Sequence, residues 1–372
     1  MFEDTSSIAA SRPVPRTASS GDPRIIGVGT DTGGAASYSQ QDLLDGFGIA
    51  DRRVRGVFLN SGIQRRFLSL PTEPGSDRFA PETQGQLLAK HRMRAIEFGS
   101  QAISACLAQA GVALKEIAYL CCVTTTGFSS PGLSARICKA LDLAPDCVRL
   151  DVVGMGCNAG LNALNAATSW ARANPGRLGV MLCAEICSAA YVTDDTMRTA
   201  VVNSLFGDGA AAIAFRVGDD DANDHPAPAV LRFNSRIVLD ALEAMRYDWD
   251  EGQGKFSFFL DPEIPYVVGA NVEVAIDGLL AGTGLRRSDI SHWIVHSGGK
   301  KVIDAVRVNL GLSAHDLRHT SGVLRDYGNL SSGSFLFSLG RLQEEDEVVS
   351  GDYGIMMTMG PGSSIETALL QW

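Results

Sequence analysis

Short apolar runs alternate along the chain with longer segments in which apolar residues recur at helical spacing. The runs of the first half have strand length and lie at 117–123, 150–153, 178–183 and 210–215. The segments around them predict helices at 40–48 and 81–111 and a further helix that ends near 143. Strands and helices that alternate in this way predict a layered α/β fold.

The second half of the chain repeats this alternation. Its pattern predicts helices at 268–281 and 299–310, a helix that opens at 326–332 and runs to 341, and strands at 293–296, 354–359 and 365–370. Residues 218–228 are charged, proline-bounded and poor in apolar groups, which indicates a linker between halves at 23–217 and 229–372. Residues 1–22 are rich in Ser, Ala and Pro, and we expect a disordered tail.

The composition limits which partners are plausible. With 372 residues, of which 45% are hydrophobic, the chain can bury one large core or two medium ones. A net charge of −10 argues against a general nucleic-acid or anionic-membrane surface. Any anionic ligand then needs a local basic cluster, and the densest one contains Arg52, Arg53, Arg55, Arg65 and Arg66. The ordinary interpretation of these arginines is a solvated face.

The lack of a recognisable targeting signal and the positions of the cysteines lead us to expect a cytoplasmic protein with reduced thiols. No apolar run has the length of a membrane span, and residues 1–24 contain no segment of the signal-peptide kind. All eight cysteines lie between Cys106 and Cys187, mostly inside apolar runs, so we expect packed thiols. Cys183 and Cys187 have no second cysteine or histidine pair nearby, and we predict no metal site.

Cys157 lies where an apolar strand pattern changes to a helical one. Gly154 and Gly156 flank Met155 just before it, and glycine tolerates the backbone angles of a tight strand-to-helix turn. A thiol at a helix N-terminus is close to unpaired amides, which favour the thiolate. A buried structural cysteine is the equally good alternative from this stretch alone.

Two further polar residues occupy comparable positions in the second half. His296 ends a predicted strand, and Asn329 precedes a predicted helix, just as Cys157 does in the first half. Each has an ordinary explanation, a packed histidine and a helix N-cap. Together the three supply the parts of an activated-thiolate chemistry, and the similar placement of Cys157 and Asn329 hints at internal duplication. A papain-like protease has the same residue order, but its cysteine context differs from the mid-chain Gly-Met-Gly-Cys here.

With these motifs, the chain resembles the type III polyketide synthases of the thiolase superfamily, the chalcone synthase-like enzymes. The matching segments are Gly154–Cys157, Leu205–Ala212, His296–Gly299, Gly328–Ser332 and Gly360–Gly362, in the family's order and spacing. The resemblance covers nearly everything from residue 24 to residue 372. It implies a five-layer αβαβα fold built from two duplicated halves.

The resemblance also implies a chemistry for the three polar residues. Cys157 would carry the acyl chain as a thioester, while His296 and Asn329 would bind the thioester carbonyl of malonyl-CoA as carbon dioxide leaves. Segments 245–250 and 254–260, with 296–301, most resemble the bacterial branch that makes 3,5-dihydroxyphenylacetyl-CoA for glycopeptide antibiotics. That branch would condense about four malonyl-CoA units and close the ring by an aldol-type step.

Other positions follow from the same resemblance. Phe206 and Phe258 match gating phenylalanines, Thr125 and Ala190 match cavity walls, and Gly360, Pro361 and Gly362 match the loop that shapes the cyclisation pocket. Ser130 replaces a methionine that plant relatives send across the dimer. Asn60 and Gln64 replace basic residues, so the CoA phosphates would fall to Arg55, Arg65, Lys300 and Lys301.

The expected partners are malonyl-CoA, a second copy of the chain in a homodimer, and accessory enoyl-CoA hydratase-like enzymes of the same pathway. No metal or redox cofactor is implied. Three alternatives stay open: another type III synthase that makes a resorcinol, pyrone or tetrahydroxynaphthalene, a ketoacyl synthase III-like enzyme, and an inactive acyl-CoA-binding homologue. His296-Ser297-Gly298-Gly299 stands where ketoacyl synthases have a His-Gln-Ala-Asn-like run.

Overall fold

A computed structural model describes residues 15–194, 196–218 and 227–372. Its strands are β1 Pro23–Asp31, β2 Ala36–Ser39, β3 Arg65–Leu68, β4 Ile117–Thr124, β5 Val148–Val153, β6 Leu178–Glu185, β7 Gly209–Val217, β8 Ala229–Ile237, β9 Met245–Asp250, β10 Lys255–Leu260, β11 Ile290–Val295, β12 Tyr353–Gly360 and β13 Ser364–Gln371. Its α-helices are α1 Gln40–Phe47, α2 Arg52–Leu59, α3 Gln84–Ala110, α4 Leu133–Leu141, α5 Ala159–Ala173, α6 Met197–Leu205, α7 Ile264–Leu280, α8 Lys300–Leu310, α9 Arg318–Tyr327 and α10 Ser334–Glu345.

Nine strands form the central sheet layers in the order β11-β12-β13-β8-β1-β7-β6-β4-β5. Strands of the first half occupy one side of this order and strands of the second half the other. The two halves join where β1 meets β8, at the single pair Arg24 and Ala229. Two small hairpins, β2 with β3 and β9 with β10, lie outside these layers.

Helices cover the sheets on both outer faces and fill the space between them. In the first half, α3 packs on β1, β7 and β6, and in the second half α7 packs on β13 and β8 and against α8. Between the halves, α5 contacts β6 and β4 on one side and β12 and β13 on the other, and α10 likewise contacts strands of both halves. The expected αβαβα layering with two duplicated halves is therefore confirmed.

Strand β4 explains why the predicted strands are apolar without interruption. Cys121 and Val123 face the central core, while Leu120 and Cys122 face the core under α3. Because both faces of the strand are buried, every position favours an apolar side chain.

The duplication is visible in the two turns that open α5 and α10. A 3₁₀ turn at Gly156–Asn158 precedes α5, and a 3₁₀ turn at Ser331–Gly333 precedes α10. The two turns contact each other in the middle layer. Equivalent points of the two halves therefore meet, which brings Cys157 close to the segment that follows Asn329.

Some sequence predictions differ from the structure. Of the expected tail, residues 15–22 lie against the second half: the Arg16 amide donates to Thr283 O at 3.0 Å, and Tyr353 Oη donates to Arg16 O at 2.8 Å. Residues 1–14, and 219–226 of the expected linker, lie outside the described residues. Helix α9 was missed because it lies between the predicted elements, and its polar surface hides its apolar stripe. No helix in the described ranges has the length and apolarity needed to cross a membrane.

We predict that Gly160→Ala destabilises the protein, because α5 and α10 approach too closely there for a methyl group. A Cβ at this position would lie 2.5 Å from Ser332 O and 2.5 Å from the ring of Phe335. Overpacking of this kind costs about 1–3 kcal/mol in the free energy of unfolding. The matched control is Gly56→Ala in α2, where the nearest atom would lie 3.9 Å away and helix propensity improves. Equal melting temperatures for the two variants would contradict the prediction.

Candidate active site

The turn before α5 presents Cys157 at the carboxyl end of β5. Gly154 and Gly156 have φ values of 79° and 81°, the left-handed region that the sequence pattern predicted for glycine. The 360–362 loop packs on this turn: a Cβ at Gly156 would lie 2.2 Å from Pro361, and a Cβ at Gly360 would lie 3.0 Å from the Cys157 amide nitrogen. The loop therefore fixes the backbone around the thiol.

Groups from the second half surround the Cys157 thiol. The thiol donates a hydrogen bond to Ser331 Oγ at 3.7 Å, and the Asn329 side chain also lies within hydrogen-bonding reach of it. Full burial raises the pKa of Cys157 to about 12, and the carboxyl group of Glu185 adds to the increase. The helix N-terminus does not overcome this desolvation, so an isolated Cys157 is a neutral thiol and not the expected thiolate.

His296 follows β11, as the sequence predicted, and is buried. Its backbone amide donates to Met357 O at 2.8 Å, while the buried ring atom Nδ1 has no partner among the described residues. Burial lowers the pKa of His296 to about 3, which keeps the imidazole neutral. The side-chain amide of Asn329 donates to Gly298 O at 3.3 Å, and Gly298 lies beside the His296 ring. Asn329 and His296 are therefore linked through one glycine.

Glu185 is a fully buried carboxylate at the end of β6. One oxygen accepts from the backbone amides of Thr125 and Thr126 at 3.0 and 3.2 Å, and the other accepts from Ser331 Oγ and Ser332 Oγ at 3.3 and 2.6 Å. Burial raises the pKa of Glu185, and these hydrogen bonds oppose the increase. Ser331 therefore connects the carboxylate to the Cys157 thiol.

An apolar cavity opens beside these groups. Its walls come from both halves and from the β9–β10 hairpin, and the lining residues are Thr125, Thr126, Cys187, Ala190, Val202, Phe206, Tyr247, Phe258 and Ser331. The rings of Phe206 and Phe258 meet edge to face with centroids 5.6 Å apart. The structure thus places four residues expected at the cavity, Thr125, Ala190, Phe206 and Phe258, on its wall.

The remaining predicted site residues lie further out. Ser130 is exposed on the loop before α4. Arg65, Lys300 and Lys301 are also exposed, and the side chain of Lys300 packs near Gly62. Arg55 donates to Ile49 O at 3.1 Å and to Gln41 at 3.2 Å, so part of its hydrogen-bonding capacity is used within the protein.

Several polar groups of the site were missed in the sequence. Glu185 ends an apolar strand, the same signal that identified His296, and it could have been found in that way. Ser331 lay inside a recognised motif but was given no role. Arg66 was grouped with a solvated face, yet it is 0% exposed. Tyr247 lies in the segment 245–250 that carries the resemblance, but the sequence gives it no role because it does not predict the hairpin.

The described residues contain no group of three or more His, Cys, Asp or Glu side chains placed to hold a metal ion. The polar groups around the Cys157 thiol are the Ser331 hydroxyl, the primary amide of Asn329 and the carboxylate of Glu185.

Comparison with known proteins agrees with this architecture. Residues 61–220 match the N-terminal domain of chalcone and stilbene synthases, and residues 250–372 match their C-terminal domain. The chain superimposes on the polyketide synthase PKS-I of the brown alga Ectocarpus siliculosus with a TM-score of 0.86 and 25% identity, covering 94% of this chain and 98% of that one.

Curated relatives are similar over nearly the whole chain. The 3,5-dihydroxyphenylacetyl-CoA synthase of Amycolatopsis orientalis is 63% identical over 350 residues, 94% of this chain and 93% of that protein. The 1,3,6,8-tetrahydroxynaphthalene synthase of Streptomyces peucetius subsp. caesius is 32% identical over 344 residues, 90% of this chain and 89% of that protein.

The layered fold and these relatives define a condensing acyltransferase of the thiolase fold. Within that class, the chain belongs to the chalcone and stilbene synthase family, the type III polyketide synthases.

We predict that two neighbours of Cys157 change its alkylation rate in opposite directions. Glu185→Gln removes a charge that raises the pKa of the thiol, so iodoacetamide should react faster at neutral pH. Ser331→Ala removes a hydroxyl that lowers this pKa, so the reaction should slow. Labelling of Cys157 would be followed by mass spectrometry, with the far-ultraviolet circular dichroism of each variant as the control for folding. Changes of the same sign in both variants would refute this account of the thiol.

Proposed function

We propose that the protein condenses malonyl-CoA units on Cys157 by decarboxylative Claisen steps and closes the product to 3,5-dihydroxyphenylacetyl-CoA. The observation that carries the proposal is the contact of Cys157 with Asn329 and with Ser331, which lines the apolar cavity. Gly298 in turn links Asn329 to His296. The 63% identity to a 3,5-dihydroxyphenylacetyl-CoA synthase supports the choice of product. By analogy with that branch, about four malonyl units enter each product.

Loading of the enzyme exchanges one thioester for another. The thiol of Cys157 loses its proton, attacks the carbonyl carbon of the incoming acyl-CoA, and CoA leaves as a thiol after taking up a proton. We assign proton acceptance to His296, whose neutral ring and unpartnered Nδ1 suit a base. Once the proton has moved, the attraction between the thiolate and the imidazolium opposes the cost of burying the two charges.

Chain extension needs a carbanion equivalent at the malonyl group. Loss of carbon dioxide leaves an enolate of acetyl-CoA, and its oxygen requires hydrogen-bond donors. The side-chain amide of Asn329 lies beside the Cys157 thiol and makes a long 3.3 Å bond to Gly298 O, so it can turn to a thioester oxygen. The neutral imidazole of His296 supplies a second N–H. The enolate carbon then attacks the acyl-Cys157 carbonyl and releases the Cys157 thiolate, and the longer chain returns to Cys157.

We assign the entrance and walls of the cavity to substrate control. Phe206 and Phe258 stand in edge contact at the cavity and would separate the CoA side from the acyl side. Thr125, Ala190 and the 360–362 loop would shape the space in which the ring closes. The exposed basic residues Arg65, Lys300 and Lys301, with Arg55, would meet the CoA phosphates.

The decisive experiment incubates the purified protein with isotopically labelled malonyl-CoA alone and identifies the products by mass. We expect 3,5-dihydroxyphenylacetyl-CoA or the acid derived from it. A labelled resorcinol, pyrone or naphthalene as the product would assign the protein to another branch of the family. A requirement for a fatty acyl starter, or the absence of any polyketide, would contradict the proposal.

We predict that two variants separate the condensation step from decarboxylation. Cys157→Ala should abolish polyketide formation and leave some release of carbon dioxide, because it removes the acyl carrier and retains the enolate donors. Asn329→Asp keeps an oxygen for the Ser331 amide, which Asn329 Oδ1 binds at 2.8 Å, but loses the Nδ2 donor. Its kcat for decarboxylation should fall roughly 100-fold. Polyketide formation by the first variant, or wild-type carbon dioxide release by the second, would remove that residue from the mechanism.

We also propose that the protein is a homodimer joined through β5. This strand ends the sheet order, and Val148 and Val153 on it are exposed. An exposed apolar edge strand readily pairs with another strand. Met155 and Phe128, 40% and 41% exposed, continue the apolar surface.

We predict that Val153→Lys weakens this dimer, because it places charges on both sides of the paired strands. Sedimentation velocity at micromolar concentration should show a shift from dimer to monomer. The control is Val349→Lys, which changes an equally apolar residue, 64% exposed, outside this surface and should leave the dimer intact. An unchanged dimer in Val153→Lys would place the interface elsewhere.

A further inference from the structure

Arg66 on β3 is a buried cation held by neutral groups. It is 0% exposed, and its guanidinium donates to Tyr191 Oη at 2.8 Å, to Phe206 O at 2.6 Å and to Gln40 Oε1 at 2.8 Å. Burial lowers the pKa of Arg66, and Tyr191 and the nearby Asp208 oppose this decrease, but none of the three hydrogen-bond partners carries a charge. Such a group therefore needs an explanation beyond packing.

Two of these contacts converge on one backbone oxygen. The Phe206 carbonyl accepts from Arg66 Nη1 and also from Tyr191 Oη, both at 2.6 Å. Tyr191 and Phe206 are buried, so water does not compete for these bonds. The peptide group that precedes Gly207 is thus held by two strong donors, one of them charged.

The held peptide is paired with the segment that carries Asn329. Phe206 and Asn329 form a parallel β-bridge. The backbone amide of Gly207 donates to Asn329 O at 2.9 Å, and the backbone amide of Asn329 donates to Leu205 O at 2.8 Å. The aliphatic stem of Arg66 packs on the other side of this bridge, against Gly328. A Cβ at Gly328 would lie 2.7 Å from Arg66 Cδ, and its φ of 74° also suits glycine.

We propose that Arg66 and Tyr191 form a clamp that positions Phe206 and Asn329 relative to Cys157. The Arg66 side chain contacts both segments of the bridge. Its guanidinium binds the Phe206 carbonyl, and its aliphatic stem packs on Gly328. The clamp thereby sets the direction of the Asn329 side-chain amide and the position of the Phe206 ring at the cavity. Arg66 and Tyr191 act through these two residues and are positioning residues for the proposed decarboxylation and condensation, on which this inference rests.

The expected consequence is a loss of turnover with little change in substrate binding. A small displacement of an oxyanion donor reduces its effect on the transition state far more than its effect on the bound substrate. Arg65 is next to Arg66 on β3 but is exposed on the opposite face of the strand. Arg55, Lys300 and Lys301 lie on helices, so the residues assigned to CoA should remain in place. The KM for malonyl-CoA should therefore stay within a factor of about two, while kcat falls.

Three variants test the clamp against malonyl-CoA decarboxylation. Tyr191→Phe removes a single hydroxyl and should lower kcat roughly 3- to 10-fold. Arg66→Met keeps the stem without donors and should lower kcat roughly 100-fold. Arg66→Lys restores one charged donor and should recover part of this loss. The control is Thr283→Val, which removes a buried hydroxyl bonded to Leu280 O at 2.7 Å, away from the cavity, and should alter only the melting temperature.

The kcat and KM of each variant are measured on folded protein, well below its melting temperature. A lower melting temperature with wild-type kcat in Tyr191→Phe would overturn the clamp, and this variant decides the matter if Arg66→Met does not fold. A crystal structure of Tyr191→Phe gives a reading that does not depend on activity. A shift of the Phe206 carbonyl and of the Asn329 side-chain amide would support the clamp. Unchanged positions of both groups would overturn it. A wild-type protein that releases no carbon dioxide would refute the proposed function instead.

Discussion

The site depends on hydrogen bonds that tie the two halves of the chain to one buried carboxylate. Glu185 accepts from Thr125 and Thr126 of the first half and from Ser331 and Ser332 of the second. A buried carboxylate without such donors would cost several kcal/mol. The two halves therefore have to meet in one register, and that register places the turn of Cys157 against the turn that follows Asn329.

This arrangement has an electrostatic cost for the nucleophile. The carboxylate that joins the halves also disfavours negative charge on Cys157, and burial disfavours charge on both the thiol and His296. Both groups are therefore neutral, and the Ser331 and Asn329 side chains are the neighbours that lower the pKa of the Cys157 thiol. A buried neutral thiol reacts slowly with electrophiles, because the thiolate is the nucleophilic form of cysteine.

Much of the fold could be predicted because its strands are buried on both faces. Runs such as β4 and β6 leave an unbroken apolar signal, and the glycines around Cys157 have the positive φ values that the pattern required. The β9–β10 hairpin and β2–β3 carry no such signal, since each is short and only half-buried. Cys157, His296 and Asn329 could be found from their places at strand and helix ends. Arg66 could not, because its burial depends on contacts with Tyr191 and Phe206, which are far away in sequence.

The small hairpin that contributes Tyr247 and Phe258 to the cavity stands apart from the stacked sheets. Its residues line the cavity and also contact the first half, where β10 packs on α6 and the Phe256 amide donates to Gln84 Oε1 at 3.0 Å. Mutations of Tyr247 or Phe258 therefore change the shape of the cavity without removing a hydrogen bond to Glu185. In evolutionary terms, a cavity wall that lies outside the stacked sheets can change its side chains while the junction of the two halves at Glu185 stays the same.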